Sequence, residues 1–124
     1  MRVLVVDDSP GFLDTATRVL RDEGMSVGTA ATSAQALTRT LEMEPDVALV
    51  DIDLGSESGL ELSRQLAAVT DSRRTRIILI STHSAEDFAD LIAASPVLGF
   101  LPKSRLSARA IEELLERDEG EDQA

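Results

Sequence analysis

The chain has 124 residues and a mass of 13.3 kDa, enough for one domain that buries roughly two-thirds of its unfolded surface. It has no cysteine and one histidine, His83, which excludes disulfides, thiolate metal sites, cysteine nucleophiles and multi-histidine zinc sites. Twelve basic against 23 acidic residues leave a net charge of −11, and there are three Phe with no Trp or Tyr; this composition argues against direct nucleic-acid binding, which needs a basic groove and stacking aromatics.

Along the chain, short apolar, β-branched runs alternate with helical patterns. Val3–Val6, Val47–Val50, Ile77–Ile80 and Val97–Leu101 read as strands apolar on both faces, as in a parallel sheet covered on both sides. Ser26–Ala30 reads as a weaker edge strand. The longest apolar runs hold four residues, too few for a membrane span or a signal-peptide core, and predict a soluble, cytoplasmic protein that does not engage a membrane.

The helices carry their own punctuation. Ser9 caps the first, with Pro10 at its opening position, an apolar face of Phe12, Ala16, Val19 and Leu20, and Gly24 suited to the left-handed residue beyond its end. The second starts at Thr32 or Ser33, where Gln35 completes a capping box and Leu37 and Leu41 sit one turn apart. Ser58 and Glu61 repeat the box for a third helix that carries Leu62, Leu66 and Val69. Ser84 opens a fourth with Phe88, Leu91 and Ile92, ended by Pro96. Leu106 before Ser107 forms a staple onto Ile111 and opens a fifth helix through Leu115. Residues 112–122 carry a net −6 and read as a solvated helix face fraying into an acidic tail over 118–124. Arg73, Arg74 and Arg76 read as a solvated basic loop, and His83 as a loop residue beside the site.

Five strand–helix repeats predict a doubly wound α/β sandwich, in which function sits at the carboxyl ends of the strands. Asp7 and Asp8 follow the first strand, Asp51 ends the third, Ser81 and Thr82 follow the fourth, and Lys103 follows the fifth. Three crowded carboxylates repel one another unless cations are near. Lys103 supplies one positive charge and a divalent ion two more, and oxygen-only ligands select a hard cation such as Mg²⁺. Such a rim suits phosphoryl transfer. Taken singly, an aspartate or serine after a strand more often caps a helix, and Phe100 in an apolar strand is core; the set in register argues otherwise.

Four motifs in order, VLVVDDSP, DVALVDIDLGSESGLEL, ILISTHS and GFLPK, resemble the receiver domains of two-component response regulators, over residues 1–117. The resemblance implies a flavodoxin-like (βα)5 sandwich whose five-stranded parallel sheet has the order 2-1-3-4-5. It implies a phosphorelay signalling protein rather than an enzyme acting on others, with Asp51 accepting a phosphoryl group from a sensor histidine kinase or phosphotransfer protein. Asp7, Asp8, Asp51 and the backbone carbonyl of Asp53 would hold Mg²⁺. Lys103 would neutralise phosphoryl charge, and Ser81 would bind the phosphoryl group while Phe100 turns inward. The face of the fourth helix, fifth strand and fifth helix would then change its preference for a downstream protein; homodimerisation through that face is left open. Thr82 and the Asp53 side chain, at the mouth, would modulate phosphoryl lifetime. Gly55 stands where the family usually has proline and predicts a more mobile loop. The end of the chain favours a stand-alone receiver over one cut from a DNA-binding regulator. LVDIDLGS also resembles the Asp-x-Asp of haloacid dehalogenase-like phosphatases, but those carry it on their first strand with far more chain following, and Asp7–Asp8 has no role there.

Overall fold

A computed structural model describes residues 1–70, 74–82 and 88–123, with side chains through residue 117. Strand β1 is Arg2–Val6, followed by helix α1 (Pro10–Asp22), β2 (Ser26–Ala30), α2 (Ser33–Met43) and β3 (Val47–Asp51). After β3 come α3 (Gly59–Val69), β4 (Arg76–Ser81), α4 (Ala89–Ala93), β5 (Gly99–Pro102) and α5 (Ala108–Gln123). All neighbouring strands of the sheet run parallel in the order β2-β1-β3-β4-β5, the expected doubly wound topology.

Alternate residues of each central strand feed opposite cores, because side chains in a strand alternate between faces. Val3, Val5, Leu49, Ile78 and Ile80 meet Ala16 and Leu20 of α1 and Ile111 of α5. Leu4, Val6, Ala48, Val50 and Leu79 meet Ala36 of α2 and Leu62 and Leu66 of α3. All of these strand side chains are fully buried. At roughly 1.5–3 kcal/mol for each large one, their burial is the main force pinning the strand ends in common register.

The helix caps follow the sequence closely. Ser9 Oγ accepts the Phe12 N–H, Thr32 Oγ1 that of Gln35, Ser58 Oγ that of Glu61 and Ser107 Oγ that of Ala110. Gln35 reaches back one residue further than a capping box requires, accepting the Ala31 N–H at 2.9 Å. Gly24 sits at φ +93°, where a side chain is disfavoured.

Three apolar assignments are corrected. Leu41, Val69 and Leu91 are 62%, 48% and 50% exposed. Leucines one turn apart establish a helix but not its rotational phase. In α2 the buried line runs through Ala36 and Thr40, whose hydroxyl donates to the Ala36 carbonyl. Small residues there let the helix approach the sheet. Helix α4 has five residues, none of them buried, and begins after Phe88; its expected opening at Ser84 lies outside the described residues, as do Arg73 and His83. Arg76 begins β4 rather than lying in a loop, and Arg74 meets Glu44 at 3.5 Å. Strand β5 starts at Gly99, two residues later than expected, with Leu98 donating to Ile77 just before it. Helix α5 continues to Gln123.

Candidate functional site

The sheet itself delivers the functional side chains to one rim. The Asp7 N–H donates to the Ala30 carbonyl at 3.0 Å, one rung beyond β1, so the aspartate is held by a backbone ladder. Asp51 closes β3 opposite Ile80, and the Ile52 N–H extends that pairing to the Ile80 carbonyl. Ser81 closes β4 opposite Pro102, which places Lys103 immediately past the end of β5, in a 3₁₀ turn over Lys103–Arg105. Asp7, Asp51 and Ser81 are buried, at 0%, 6% and 2% exposure, while Asp8, Asp53 and Thr82 are exposed.

The Lys103 ammonium bridges the two buried acids, 2.5 Å from Asp7 Oδ2 and 2.8 Å from Asp51 Oδ2. The other carboxylate oxygens accept local backbone N–H groups: Asp7 Oδ1 from Ser9 at 2.8 Å and Asp51 Oδ1 from Asp53 at 3.0 Å. Burial pushes the Asp51 carboxyl above the usual aspartate range. The Lys103 and Asp53 hydrogen bonds pull the other way and the Asp7 charge adds to the rise. Burial alone would lower the Lys103 ammonium, but hydrogen bonds to Asp51 and Asp7 outweigh it and the group is raised. Lysine occurs once in the chain, here, beside eleven arginines. A compact ammonium reaches between two carboxylates where a planar guanidinium would not fit in the same way. That single occurrence was a legible sign of the site.

Two further residues shape the rim and were not singled out in the sequence. A Cβ on Gly59 would collide with the Asp51 carbonyl oxygen, so only glycine lets α3 start against the end of β3. The Phe12 ring, assigned only to an apolar helix face, lies 4.5 Å from the Lys103 ammonium. Phe100 is partly buried in β5, packed on the α2–α3 side of the sheet.

One oxygen from each of Asp7, Asp8 and Asp51 falls within 4.8 Å of the others. Asp7 Oδ2, fully buried, is compensated among the described residues by the Lys103 ammonium alone. Three carboxylates against one ammonium leave two negative charges uncompensated. An all-oxygen cluster of that charge fits a hard divalent cation. The Asp53 carboxylate stands apart from this cluster and accepts the Gly55 N–H instead.

Residues 3–116 match the response regulator receiver domain. The chain belongs to this family. It is 36% identical over 88 residues to the alginate biosynthesis transcriptional regulatory protein AlgB of Pseudomonas syringae, covering 71% of this chain and 19% of that one. It is 40% identical over 67 residues to the DNA-binding response regulator MtrA of Mycolicibacterium smegmatis, covering 54% and 29% respectively. The chain thus matches less than a third of the length of these relatives. A response regulator from Burkholderia pseudomallei, solved with a phosphorylated aspartic acid, a calcium ion and citrate, superposes with a TM-score of 0.82 at 25% identity, over 98% of this chain and 70% of that one. The chain is therefore a signalling receiver of the two-component class, with the CheY-like flavodoxin fold.

Within this receiver, the departure at Gly55 has a structural basis. Asp53–Leu54 and Glu57–Ser58 pair antiparallel across a two-residue turn, with Gly55 at φ +73°. Proline, fixed near −65°, cannot adopt that angle. After Asp51 the chain thus forms a hydrogen-bonded hairpin, tied to α2 by Glu57, whose carboxylate accepts the Ser33 N–H at 3.0 Å.

Proposed function

We propose that this receiver is a phosphorylation-dependent switch whose acceptor is Asp51. The observation that carries the reading is the Lys103 ammonium shared between Asp51 and the buried acid Asp7, beside a cluster whose charge calls for one divalent ion. An Asp51 carboxylate oxygen forms a bond to phosphorus as the bond from phosphorus to the donor nitrogen of a phosphohistidine breaks, the electron pair leaving with the donor. The Lys103 ammonium lies within reach of the incoming phosphoryl oxygens, so the negative charge that develops there meets a cation already in place. Asp7, Asp8, Asp51 and the Asp53 carbonyl would hold Mg²⁺, which when bound draws the phosphoryl oxygens and the acceptor together. Asp7 and Asp51 are pre-positioned by ladder bonds, so little reorganisation precedes the step.

Ser81, buried at the end of β4, binds the phosphoryl group, and Phe100 on the adjacent strand follows it inward. The face of α4, β5 and α5 thereby changes its preference for a downstream protein. Thr82 and Asp53, exposed at the mouth, set how readily water reaches the acyl phosphate. The receiver acts in the cytoplasm, catalyses only its own phosphorylation and dephosphorylation, and spans residues 1–117 with an acidic C-terminal extension. No helix among the described residues is long and apolar enough to cross a membrane. The acidic, aromatic-poor chain favours a protein partner over nucleic acid. The fraction of AlgB and MtrA that it matches favours a second reading, in which such a receiver works in tandem with a DNA-binding output segment.

Beryllofluoride, an analogue of the bound phosphoryl group, tests the switch without turnover. In the presence of Mg²⁺ it is expected to bind and shift the ¹³Cε resonance of the single lysine, and to leave Asp51→Asn unshifted. An unshifted wild type would contradict the assignment.

A further inference from the structure

We infer that Phe12 is a positioning residue for Lys103: its ring holds the ammonium over the acceptor while leaving one N–H free for the incoming phosphoryl oxygen. The inference deepens the acceptor assignment to Asp51 and rests on it. An ammonium has three N–H donors. Among the described residues, Asp7 Oδ2 and Asp51 Oδ2 engage it from two sides, and the Phe12 ring centroid lies 4.5 Å away. The negative face of an aromatic ring attracts a cation without offering a lone pair. A third carboxylate or carbonyl in that place would compete with the phosphoryl group for the last donor; a ring does not. An aliphatic side chain would also leave the donor free, but would supply no attraction to hold the ammonium.

The ring is placed by local structure. Phe12 lies in the first turn of α1, and its own N–H donates to the capping Ser9 Oγ at 3.3 Å. The Ser9 N–H in turn donates to Asp7 Oδ1 at 2.8 Å. One short segment therefore orients the acid on one side of the ammonium and the ring on another. The rest of the ring packs partly buried against the core formed by Val5, Ala16 and Ile111, which limits its swing. The lysine side chain is itself only 13% exposed, and a cation–π contact gains strength as water is excluded.

The inference is tested by replacing Phe12 with a series of fluorinated phenylalanines, which keep the ring's shape while draining its negative face, beside Phe12→Leu and Phe12→Tyr. The phosphorylation rate with acetyl phosphate and Mg²⁺ is expected to fall stepwise with fluorination, by about three- to tenfold at the fully fluorinated ring, the range of a partly desolvated cation–π contact. Phe12→Leu should match the slow end and Phe12→Tyr should restore the rate. Lysine NMR supplies a readout that does not need turnover. The ε-methylene protons of the single lysine should carry a ring-current shift in the wild type that disappears in Phe12→Leu. A phosphorylation rate that stays the same across the whole fluorinated series would overturn the positioning role and leave Asp51 as acceptor untouched. A wild type that is never phosphorylated would overturn the acceptor assignment itself.

Discussion

Lys103 resolves a local conflict between folding and chemistry. Asp7 and Asp51 are both buried within reach of one ammonium, so each depends on it for compensation. Removing one partner of a buried charge cluster costs more than the contact itself, because the remaining charges stay buried and unpaired. Lys103→Ala is therefore expected to lower metal-free stability at neutral pH by about 3 kcal/mol, with part of the loss recovered on adding Mg²⁺. Urea midpoints with chelator and with Mg²⁺ measure both effects, and an unchanged midpoint in chelator would count against the cluster's energetics. Asp51 carries the opposite sign. Its folded-state pKa is raised, chiefly by burial, so its contribution to stability is fullest below the ordinary aspartate range and declines as pH rises through the raised value. Lys103, also raised, keeps its contribution through neutral pH and loses it only in the alkaline range, as pH passes its own raised value. Asp51→Asn should accordingly stabilise the metal-free protein by about 1 kcal/mol at pH 7.5, the usual size of a stability–activity trade-off. That gain should vanish in acid, where the wild-type carboxyl is neutral too. Thermal unfolding at the two pH values checks the sign; an Asn variant less stable at pH 7.5 would refute it.

Between β3 and α3, two glycines do different work. Gly59 has no room for a side chain because the Asp51 carbonyl occupies the place of a Cβ. Gly55 has an open side toward solvent but a left-handed backbone, and a Cβ there would come within 3.0 Å of Asp8 Oδ2, the end of a side chain that can turn aside. Gly59→Ala is expected to cost upwards of about 3 kcal/mol and to disturb the acceptor, whereas Gly55→Ala should cost about 1–2 kcal/mol, the price of the left-handed angle. Paired urea titrations distinguish the two; equal costs would mean that the close approach at Gly59 relaxes freely. The same elements show where sequence reading reaches its limit. The central strands were legible because Val3–Val6, Val47–Val50 and Ile77–Ile80 are apolar at every position, the mark of a sheet covered on both faces. The caps were legible because Ser9, Thr32, Ser58 and Ser107 announce orphan N–H groups. The exposure of Leu41, Val69 and Leu91 was not, because a pair of apolar residues one turn apart is compatible with several rotations about the helix axis. The Gly55 hairpin was missed for a related reason: glycine permits many angles, and only the Asp53–Ser58 and Leu54–Glu57 pairing selects one.

At the scale of the molecule, the parallel sheet turns distant sequence positions into neighbours. Asp7, Asp51 and Lys103 are far apart along the chain, yet the register of β1, β3, β4 and β5 brings all three to one edge. Most of the candidate site was legible from that rule alone, since residues after parallel strands share a rim. What the rule omits is contact made by helices at the rim: the Phe12 ring over Lys103 depends on the rotation of α1, and rotation is not written in strand spacing. The net charge of −11 adds a background that disfavours approach of an anionic phosphoryl donor, and in the proposed switch Lys103 and a divalent ion would offset it locally. The most direct test is intact mass after incubation with acetyl phosphate, with and without Mg²⁺, for the wild type and Asp51→Asn. One added phosphoryl group, dependent on Mg²⁺ and absent from Asp51→Asn, is the predicted result. An equal adduct on Asp51→Asn, or none on the wild type together with no beryllofluoride complex, would contradict the account.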